Sequence, residues 1–380
     1  MVIPVDAVLA QALAHVERLP LGDAVIVHNR ASGAMVETNA FGALLLDHLT
    51  ALPDPDTAVA GIAASLERPE AEVRDAVGAT LARWTADGVF LTAQRPFPMA
   101  VPYRPVAGGA VRHFVLGKRA VALTSEDPAL VADLDRALAP LDLGAARRPA
   151  PGAPLRLEVL RHAAGYGVFR NGAPVWSVAG YELTRFHLLR EIMDGLVGPE
   201  RVGAQLHASA VSLSGRALVF AGASGSGKST LATLLLGAGC AQVADDHVAL
   251  STGGGHLFAF PTRPNLKPGT AALPELRAIF AAEGAEDAGG FVPETRVPTG
   301  AEVALAALVF PAYAPDAENS RSPVAPETAL RELIQTGSRV SRSTRSIAPL
   351  LAALGRHPIW RLSYRDSAYA RDECRALMAG

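Results

Sequence analysis

Residues 216–236 read RALVFAGASGSGKSTLATLLL and decide the fold. The first six residues are mostly apolar, as in a buried strand, and the last seven have the apolar pattern of a helix. Between them, residues 222–229 match G-x-x-x-x-G-K-[ST] in the strand, loop and helix context that this motif requires. Its glycines let backbone N–H groups turn inward around phosphate oxygens at the start of the helix. This stretch therefore predicts a phosphate-binding loop in an α/β domain.

The side chains of this loop predict a nucleotide site. Lys228 supplies a compact cation for the β- and γ-phosphates, and the Ser229 hydroxyl is a ligand for Mg²⁺. ATP and Mg²⁺ are therefore the expected cofactors. The predicted cofactor-binding residues are Gly222, Ala223, Ser224, Gly225, Ser226, Gly227, Lys228, Ser229 and Thr230.

Two adjacent carboxylates, Asp245 and Asp246, end the short apolar segment that follows the helix of this loop. Ligand sites in open α/β sheets lie at the carboxyl ends of strands, so we expect both side chains beside the phosphates. One carboxylate can hold Mg²⁺ and the other can accept a proton from an attacking hydroxyl. We assign proton transfer to Asp245, and the metal to Asp246 together with Ser229. His207, just before the strand of the loop, is predicted to pair with one of the two carboxylates.

A proline-rich loop, residues 260–268, carries two cations that we predict to contact phosphate or substrate, Arg263 and Lys267. The alternative interpretation is a solvated loop. The chain has 35 Lys and Arg residues in total, of which only Lys118, Lys228 and Lys267 are lysine. Each lysine therefore raises the question of why arginine does not stand in its place. At Lys228 the answer is the need for a point charge.

Four further residues are predicted to lie outside the catalytic centre. Arg339, Arg342 and Arg345 follow one another at a spacing of three, which predicts a shared helix face. That face is interpreted as solvated, with contact to an anion or a peptide carboxylate as the functional alternative. His247 follows the acidic pair directly and is predicted to point away from it.

The composition excludes several classes of protein. The chain has 380 residues, 49% of them hydrophobic, and a formal net charge of -2, which argues against a nucleic-acid-binding protein. No uninterrupted apolar run is long enough for a membrane span, and residues 1–20 lack the basic start of a secretory signal. Cys240 and Cys374 are too few for a disulfide framework. We therefore expect a cytoplasmic protein without membrane or nucleic-acid partners.

Changes of pattern along the chain predict three segments. Residues 1–95 form a small α+β unit, with a hairpin of strands 24–29 and 35–38 and then three helices, the first capped by Asn39. Residues 96–200 contain a linker rich in Pro and Gly and a mixed α/β region, in which 165–176 is a hairpin signal. Residues 201–380 carry the phosphate-binding loop and form the catalytic domain.

The loop GASGSGKST, His207-Ala208 and the segment VADDHV resemble the core of HPr kinase/phosphorylase, a bacterial serine kinase family. The resemblance is good over residues 201–270 and loose over the rest of 111–380, and it implies an α/β P-loop kinase domain. It implies that His207 and Asp245, with Asp246 adjacent, belong to the catalytic centre, together with Lys228. The chain departs from the family at Ala223, where the family has Asp, and lacks its phosphorolysis segment. The resemblance therefore implies neither the reverse reaction nor HPr as substrate.

Residues 1–95 resemble PqqD-like domains, which are small, winged-helix-like and bind the leaders of ribosomally made peptides. In such domains the leader adds as a strand to a sheet edge and packs against the third helix. By position, the edge is Met35 to Thr38 and the helix face is that of Val73 and Val77.

Together, the two resemblances imply an ATP-dependent kinase that phosphorylates a Ser or Thr hydroxyl of a ribosomal precursor peptide. Residues 1–95 would hold the leader of that peptide. Alternatives are a P-loop ATPase or switch, a binding protein with an idle site, and a small-molecule kinase acting on free serine. The sequence leaves open whether the chain forms a homo-oligomer.

Overall fold

A computed structural model of the chain describes residues 5–93, 101–141, 143, 154–163, 165–178 and 180–379. The linker predicted after residue 95 lies partly outside these residues. The chain forms a mixed α/β structure that divides into two compact units. One comprises Met1–Pro96 and Arg345–Leu351, and the other Phe97–Thr344 and Ala352–Gly380. The first unit thus includes a short segment from far along the chain, which the sequence analysis did not predict.

The first unit has a three-stranded antiparallel sheet followed by three helices. The sheet order is β1-β2-β3, and Asn39 caps the first of the three helices by accepting a hydrogen bond from Gly42 N. The core gathers around Trp84, Leu45 and Ile62, all fully buried. The elements are α1 (Val5–Leu13), β1 (Val16–Leu21), β2 (Ala24–Asn29), β3 (Met35–Thr38), α2 (Ala40–Ala51), α3 (Pro55–Leu66) and α4 (Glu70–Asp87).

The predicted hairpin and helices of this unit are confirmed, whereas α1 and β1 were not predicted. Val73 and Val77 of α4 are 4% and 2% exposed and belong to the core of the unit. The prediction that these two valines offer a face to a peptide is therefore wrong.

The second unit begins with a five-stranded sheet, ordered β4-β5-β6-β7-β8. Strands β5 and β6 are parallel, and the other neighbours are antiparallel. The predicted turn between β7 and β8 is confirmed, with left-handed φ at Asn171 and Gly172. The elements are β4 (Ala110–Leu116), β5 (Arg119–Ser125), α5 (Pro128–Leu138), β6 (Leu155–His162), β7 (Gly165–Arg170), β8 (Ala173–Val178) and α6 (Tyr181–Val197).

A ten-stranded sheet follows, with the order β12-β10-β11-β15-β14-β13-β9-β17, and β18 pairs with β15 and β16. Its strands are β9 (Val202–Leu206), β10 (Ala208–Leu213), β11 (Arg216–Ala221), β12 (Ala241–Ala244), β13 (Val248–Ser251), β14 (His256–Phe258), β15 (Glu302–Tyr313), β16 (Ser320–Pro323), β17 (Arg339–Val340) and β18 (Ile359–Tyr364). The helices are α7 (Lys228–Leu236), α8 (Pro268–Ala271), α9 (Pro274–Ala282), α10 (Pro326–Gln335), α11 (Ala348–Arg356) and α12 (Ser367–Ala379).

One core joins the five-stranded sheet to the larger one. Leu188 and Ile192 of α6 pack with Val202, Phe258 and Phe260, all at most 2% exposed. A second core places α7 and α12 against β11 and β15. These layers fix β11, α7 and β12 relative to one another, and the candidate site lies at their ends. No helix in the described part of the chain is long and apolar enough to cross a membrane.

The arginines predicted to share a helix face do not form a helix. Arg339 begins the short strand β17, Arg342 lies in a turn and Arg345 has a left-handed φ of 49°. The guanidinium of Arg339 lies over the ring of Trp176 and pairs with Glu191, so it is largely buried rather than solvated. Pairing with these partners outweighs the helical spacing, which is a purely local signal.

Candidate functional site

The glycine-rich loop between β11 and α7 adopts a backbone that requires glycine. Gly222, Gly225 and Gly227 have φ values of 134°, 89° and 99°, in the range that L side chains rarely adopt. A Cβ atom at Gly227 would also lie 2.9 Å from the Tyr364 hydroxyl. The conformation therefore explains why glycine stands at these positions in the motif.

Lys228, at the start of α7, is 7% exposed and its side chain folds back along the loop. Its Nζ donates hydrogen bonds to the carbonyl oxygens of Gly222, at 2.9 Å, and Ala223, at 3.0 Å. Burial lowers the pKa of Lys228, and the nearby Asp246 and Asp245 oppose that shift. The ammonium group is thus held at the loop by two backbone acceptors, next to the start of a helix.

Asp245, which follows β12, is enclosed by hydrogen-bond donors and only 3% exposed. Its Oδ1 accepts from the hydroxyls of Ser229, at 3.0 Å, and Ser209. Its Oδ2 accepts from the backbone N–H of Asn265 at 2.7 Å. Asp245 therefore ties the serine of the glycine-rich loop to β10 and to the loop after β14.

The pKa of Asp245 is raised to about 6, from an ordinary value of 3.8. Burial is the main cause, the neighbouring Asp246 adds to it, and the hydrogen bonds from Ser209, Asn265 and Ser229 oppose it. At a pH between the ordinary and the raised pKa, the Asp245 carboxyl holds a proton in the folded chain and has released it in the unfolded chain. Ionisation of Asp245 thus destabilises the fold as the pH rises from about 4 through 6.

The variant Asp245→Asn should therefore be at least as stable as the natural chain at pH 8 without Mg²⁺. An asparagine can keep the contacts, because its oxygen can face Asn265 N while its amide donates to the two serine hydroxyls. The gain is at most about 3 kcal/mol, from 1.36 kcal/mol per pKa unit. Urea unfolding at pH 5 and pH 8 measures it, with the exposed Asp316→Asn as control. A large loss of stability at pH 8 would contradict this account of Asp245.

Asp246 faces a different environment from Asp245. Its backbone is left-handed, with φ 62°, and its Oδ2 accepts from the side-chain amide of Asn265 at 2.9 Å. Its Oδ1 lies 3.9 Å from Nε2 of His207, which is too far for a hydrogen bond, so Asp246 is the carboxylate that His207 faces without pairing with it.

His207 is oriented by contacts on its other side. Its Nδ1 lies 2.7 Å from the carbonyl oxygen of Thr336, and its backbone N–H donates to the Ser338 hydroxyl. A carbonyl accepts only, so Nδ1 carries the proton. Burial lowers the pKa of His207, which favours the neutral ring. The unprotonated Nε2 is therefore the nitrogen that faces Asp246.

A cavity of about 230 Å³ brings these groups together. Lys267 also lines it, with Nζ 3.3 Å from the Ser224 hydroxyl. Asp245 is not among the lining residues, which come from the glycine-rich loop and the start of α7, from His207 and Asp246, and from the loop after β14 with the start of α8. They are His207, Ser224, Gly225, Gly227, Lys228, Ser229, Thr230, Asp246, Asn265, Leu266, Lys267 and Thr270.

Arg263 lies apart from this cavity. Its guanidinium donates to the carbonyl oxygen of Gly289 and its backbone N–H to that of Ala137. Of the two cations predicted to contact substrate, the structure thus brings Lys267 to the loop and leaves Arg263 outside.

No protein-family model matches the chain, and no curated protein matches it.

Three residues that hold the site were not predicted. Ser209, on β10, follows the predicted His207 by two positions, and Asn265 lies between the two predicted cations Arg263 and Lys267. Both are therefore close in sequence to predicted site residues, which is a weak indication of a role in the site. Thr336 contacts His207 from 129 positions away, and its segment carries no motif.

Behind His207 lies an unusual cluster of buried rings and cations. Phe186 packs 5.0 Å from His207 and 4.4 Å from His247, measured between ring centroids. Arg190 lies over Phe186 and donates to the carbonyl oxygen of Gly337 at 2.7 Å. His247 is fully buried, and neither ring nitrogen has a hydrogen-bond partner within the described residues. Burial and the nearby cations hold its pKa well below the ordinary value, so it is neutral.

Proposed function

We propose that the protein is an ATP- and Mg²⁺-dependent kinase that phosphorylates a Ser or Thr hydroxyl of a peptide. One observation carries this proposal. The serine of the G-x-x-x-x-G-K-[ST] loop is hydrogen-bonded to Asp245, while Asp246, His207 and Lys267 line the same cavity as the loop. A phosphate cradle, a place for a metal and two acceptors for a hydroxyl proton therefore lie side by side.

The loop fits the phosphates of a nucleotide. Its left-handed glycines keep the backbone free of Cβ atoms, and Lys228 and Lys267 bring two ammonium groups to one cavity. A mixed α/β fold of this kind is also compatible with a kinase domain similar to HPr kinase. Lys228 and the loop amides would bind the β- and γ-phosphates.

Ser229 and Asp245 fit a bound Mg²⁺, because one hydroxyl and one carboxylate 3.0 Å apart are oxygen donors of the kind this ion prefers. Within the described residues, no cluster of three or more His, Cys, Asp or Glu could hold a metal. Mg²⁺ sites commonly combine one or two carboxylates with substrate phosphates and water, which agrees with this arrangement. When bound, the ion would neutralise charge on the transferring phosphoryl group.

We therefore exchange the roles that the sequence suggested for the two carboxylates. Asp246 faces the cavity and accepts one hydrogen bond, from Asn265, whereas Asp245 is enclosed by three donors. Asp246 is the better placed of the two to receive the proton of the acceptor hydroxyl. His207 Nε2 is a second acceptor that orients that hydroxyl.

The acceptor oxygen forms a bond to the γ-phosphorus, the bond from that phosphorus to the β–γ bridging oxygen breaks, and ADP leaves. The hydroxyl proton passes to Asp246. Lys228 and Lys267 balance the charge that moves onto the bridging oxygen.

The first unit supports a peptide as substrate. Its three-stranded sheet followed by three helices agrees with a PqqD-like, winged-helix-like domain. β3 is an edge strand of this sheet and pairs with β2 alone among the strands of the described residues, an arrangement that suits strand addition. The other edge strand of this sheet, β1, already has a partner outside the sheet, because its Glu17 accepts a hydrogen bond from the Ser346 hydroxyl. We therefore retain the edge at Met35–Thr38 as the leader site and omit Val73 and Val77.

The nucleotide site can be tested through ligand-dependent stability. ATP with Mg²⁺ should raise the melting temperature of the natural chain, by about 2.7 kcal/mol of stability at a concentration 100 times Kd. Lys228→Ala removes the ammonium from the loop and should abolish most of that shift. The exposed Arg216→Ala is a control with the same loss of charge. Equal stabilisation of both variants would contradict the proposed nucleotide site.

A further inference from the structure

A second cavity, of about 600 Å³, lies in the second unit at one end of the five-stranded sheet. Four cationic side chains line it: Lys118, Arg119, Arg156 and Arg170. No carboxylate is among the described residues that line it. Carboxylates outside the lining pair with Arg119 and Arg170, so within the described part of the chain Lys118 and Arg156 remain as unpaired positive charges at the cavity.

The strand pairing explains why the cations meet. β5 and β6 are parallel and both begin at this end of the sheet, where β7, antiparallel to β6, finishes. Arg119 opens β5, Arg156 is the second residue of β6, and Arg170 is the last of β7. Lys118 stands in the turn directly before β5. Three neighbouring strands thus each bring a cation to one cavity.

Two of the four cations have carboxylate partners. The Nη1 of Arg170 lies 2.9 Å from Asp194 Oδ2 and 3.1 Å from Glu191 Oε2, and both carboxylates are nearly inaccessible. Arg119 pairs with Glu200 and packs on Gly198, where a Cβ atom would lie 2.7 Å from its Cζ. The two buried carboxylates orient the Arg170 guanidinium before any ligand arrives, which lowers the entropic cost of binding, whereas the partner of Arg119 is exposed.

The other two cations have no such compensation. Lys118 and Arg156 are exposed, and within the described residues neither forms an ion pair or a side-chain hydrogen bond. Two paired guanidinium groups and two unpaired cations around one concave surface favour an anion with several charges. Guanidinium groups bind phosphate or carboxylate oxygens in pairs, and an ammonium adds a point charge.

The positions of the three lysines also support an anion-binding site at this cavity. Only three residues of this chain are lysine, and two of them line the cavity at the glycine-rich loop. The third, Lys118, lines this second cavity. Every lysine of the chain thus lies in a concave, cation-lined cavity.

We propose that this second cavity binds a small polyanion, a compact molecule that carries two or more phosphate or carboxylate groups. The ligand contacts the unpaired cations Lys118 and Arg156 and the paired guanidinium groups of Arg119 and Arg170. The partial negative charge at the C-terminal end of α6 attracts one cation to this region. It does not account for all four cations, because carbonyl oxygens of the last turn already accept hydrogen bonds from Gly198 N–H and from Arg201. This inference is independent of the proposed kinase activity.

The test titrates inorganic pyrophosphate and citrate separately into the full chain carrying Lys228→Ala, which weakens phosphate binding at the other cavity. Calorimetry should detect binding with a Kd of about 1 mM or tighter at low salt. Affinity should fall as NaCl is added. The added pair Lys118→Ala and Arg156→Ala should weaken binding about tenfold or more. Stronger binding of pyrophosphate would identify phosphates as the ligand groups, and stronger binding of citrate would identify carboxylates.

The control is the pair Arg216→Ala and Arg277→Ala, two exposed arginines outside the cavity that remove the same net charge. This pair should change Kd by less than about twofold, as expected for screened surface charge. Because all four side chains are exposed, each variant should keep the melting temperature of its parent. The proposal is overturned if neither probe binds, or if the cavity pair and the control pair weaken binding equally.

Discussion

Asp246→Asn should lower the rate of phosphoryl transfer by about 100-fold or more, because a positioned general base contributes about 10² to 10⁴. The amide cannot accept the hydroxyl proton, yet it can keep a hydrogen bond with Asn265. The loop, Lys228 and the Ser229–Asp245 pair remain intact, so ATP should still stabilise the variant. The measurement is single-turnover transfer from ATP together with the nucleotide-dependent shift in melting temperature.

Two controls separate this role from a general loss of structure. Asp316→Asn makes the same chemical change at an exposed site outside the cavity and should leave the rate unchanged. Asp245→Asn should lower transfer through a different defect, because its stabilisation by Mg²⁺ is lost as well. An Asp246→Asn enzyme with near-natural turnover would exclude this residue as the base.

Glu191→Ala should destabilise the second unit by about 3–5 kcal/mol, the range for breaking a buried ion pair by removing one partner. Glu191 is 1% exposed and contacts three arginines, Arg170 and Arg339 at 3.1 Å and Arg342 at 3.5 Å. Burial by itself would raise the pKa of Glu191, but these arginines reverse the shift and lower it. Without the carboxylate, Arg339 stays buried next to the ring of Trp176 with much less compensation.

The exposed Glu182→Ala, on the same helix α6, is the matched control and should change stability by less than about 0.5 kcal/mol. Glu191→Gln should fall between the two, because it keeps hydrogen-bonding oxygen and nitrogen atoms but loses the charge. Urea unfolding measures all three variants. A loss below about 1 kcal/mol for Glu191→Ala would show that the three arginines do not depend on this carboxylate.

Elements that are encoded locally were predictable from the sequence. The hairpin of β2 and β3, the Asn39 cap and helix α2 that it begins are set by turn residues, caps and apolar spacing over a few positions. The loop between β11 and α7 belongs to the same class, since its glycines are required by its own backbone.

Elements that depend on distant partners were not predictable in this way. Arg339 and Arg342 have helical spacing, but Glu191, about 150 positions earlier, draws them into a buried network. The order of the strands places β10 between β11 and β12, which brings Ser209 to Asp245, and no local pattern contains that information. The roles of the two carboxylates likewise followed from which of them faces the cavity, and adjacency in sequence cannot decide that.

The central proposal is transfer of phosphate from ATP to a peptide hydroxyl, and mass spectrometry of the acceptor tests it most directly. The full chain is incubated with ATP, Mg²⁺ and Ser- or Thr-containing peptides encoded by short reading frames next to its gene, with free serine in a parallel reaction. We predict that a peptide gains phosphate on a Ser or Thr side chain, and that Asp246→Asn abolishes the gain. Release of inorganic phosphate with no phosphopeptide, or equal transfer to free serine, would contradict the proposed function.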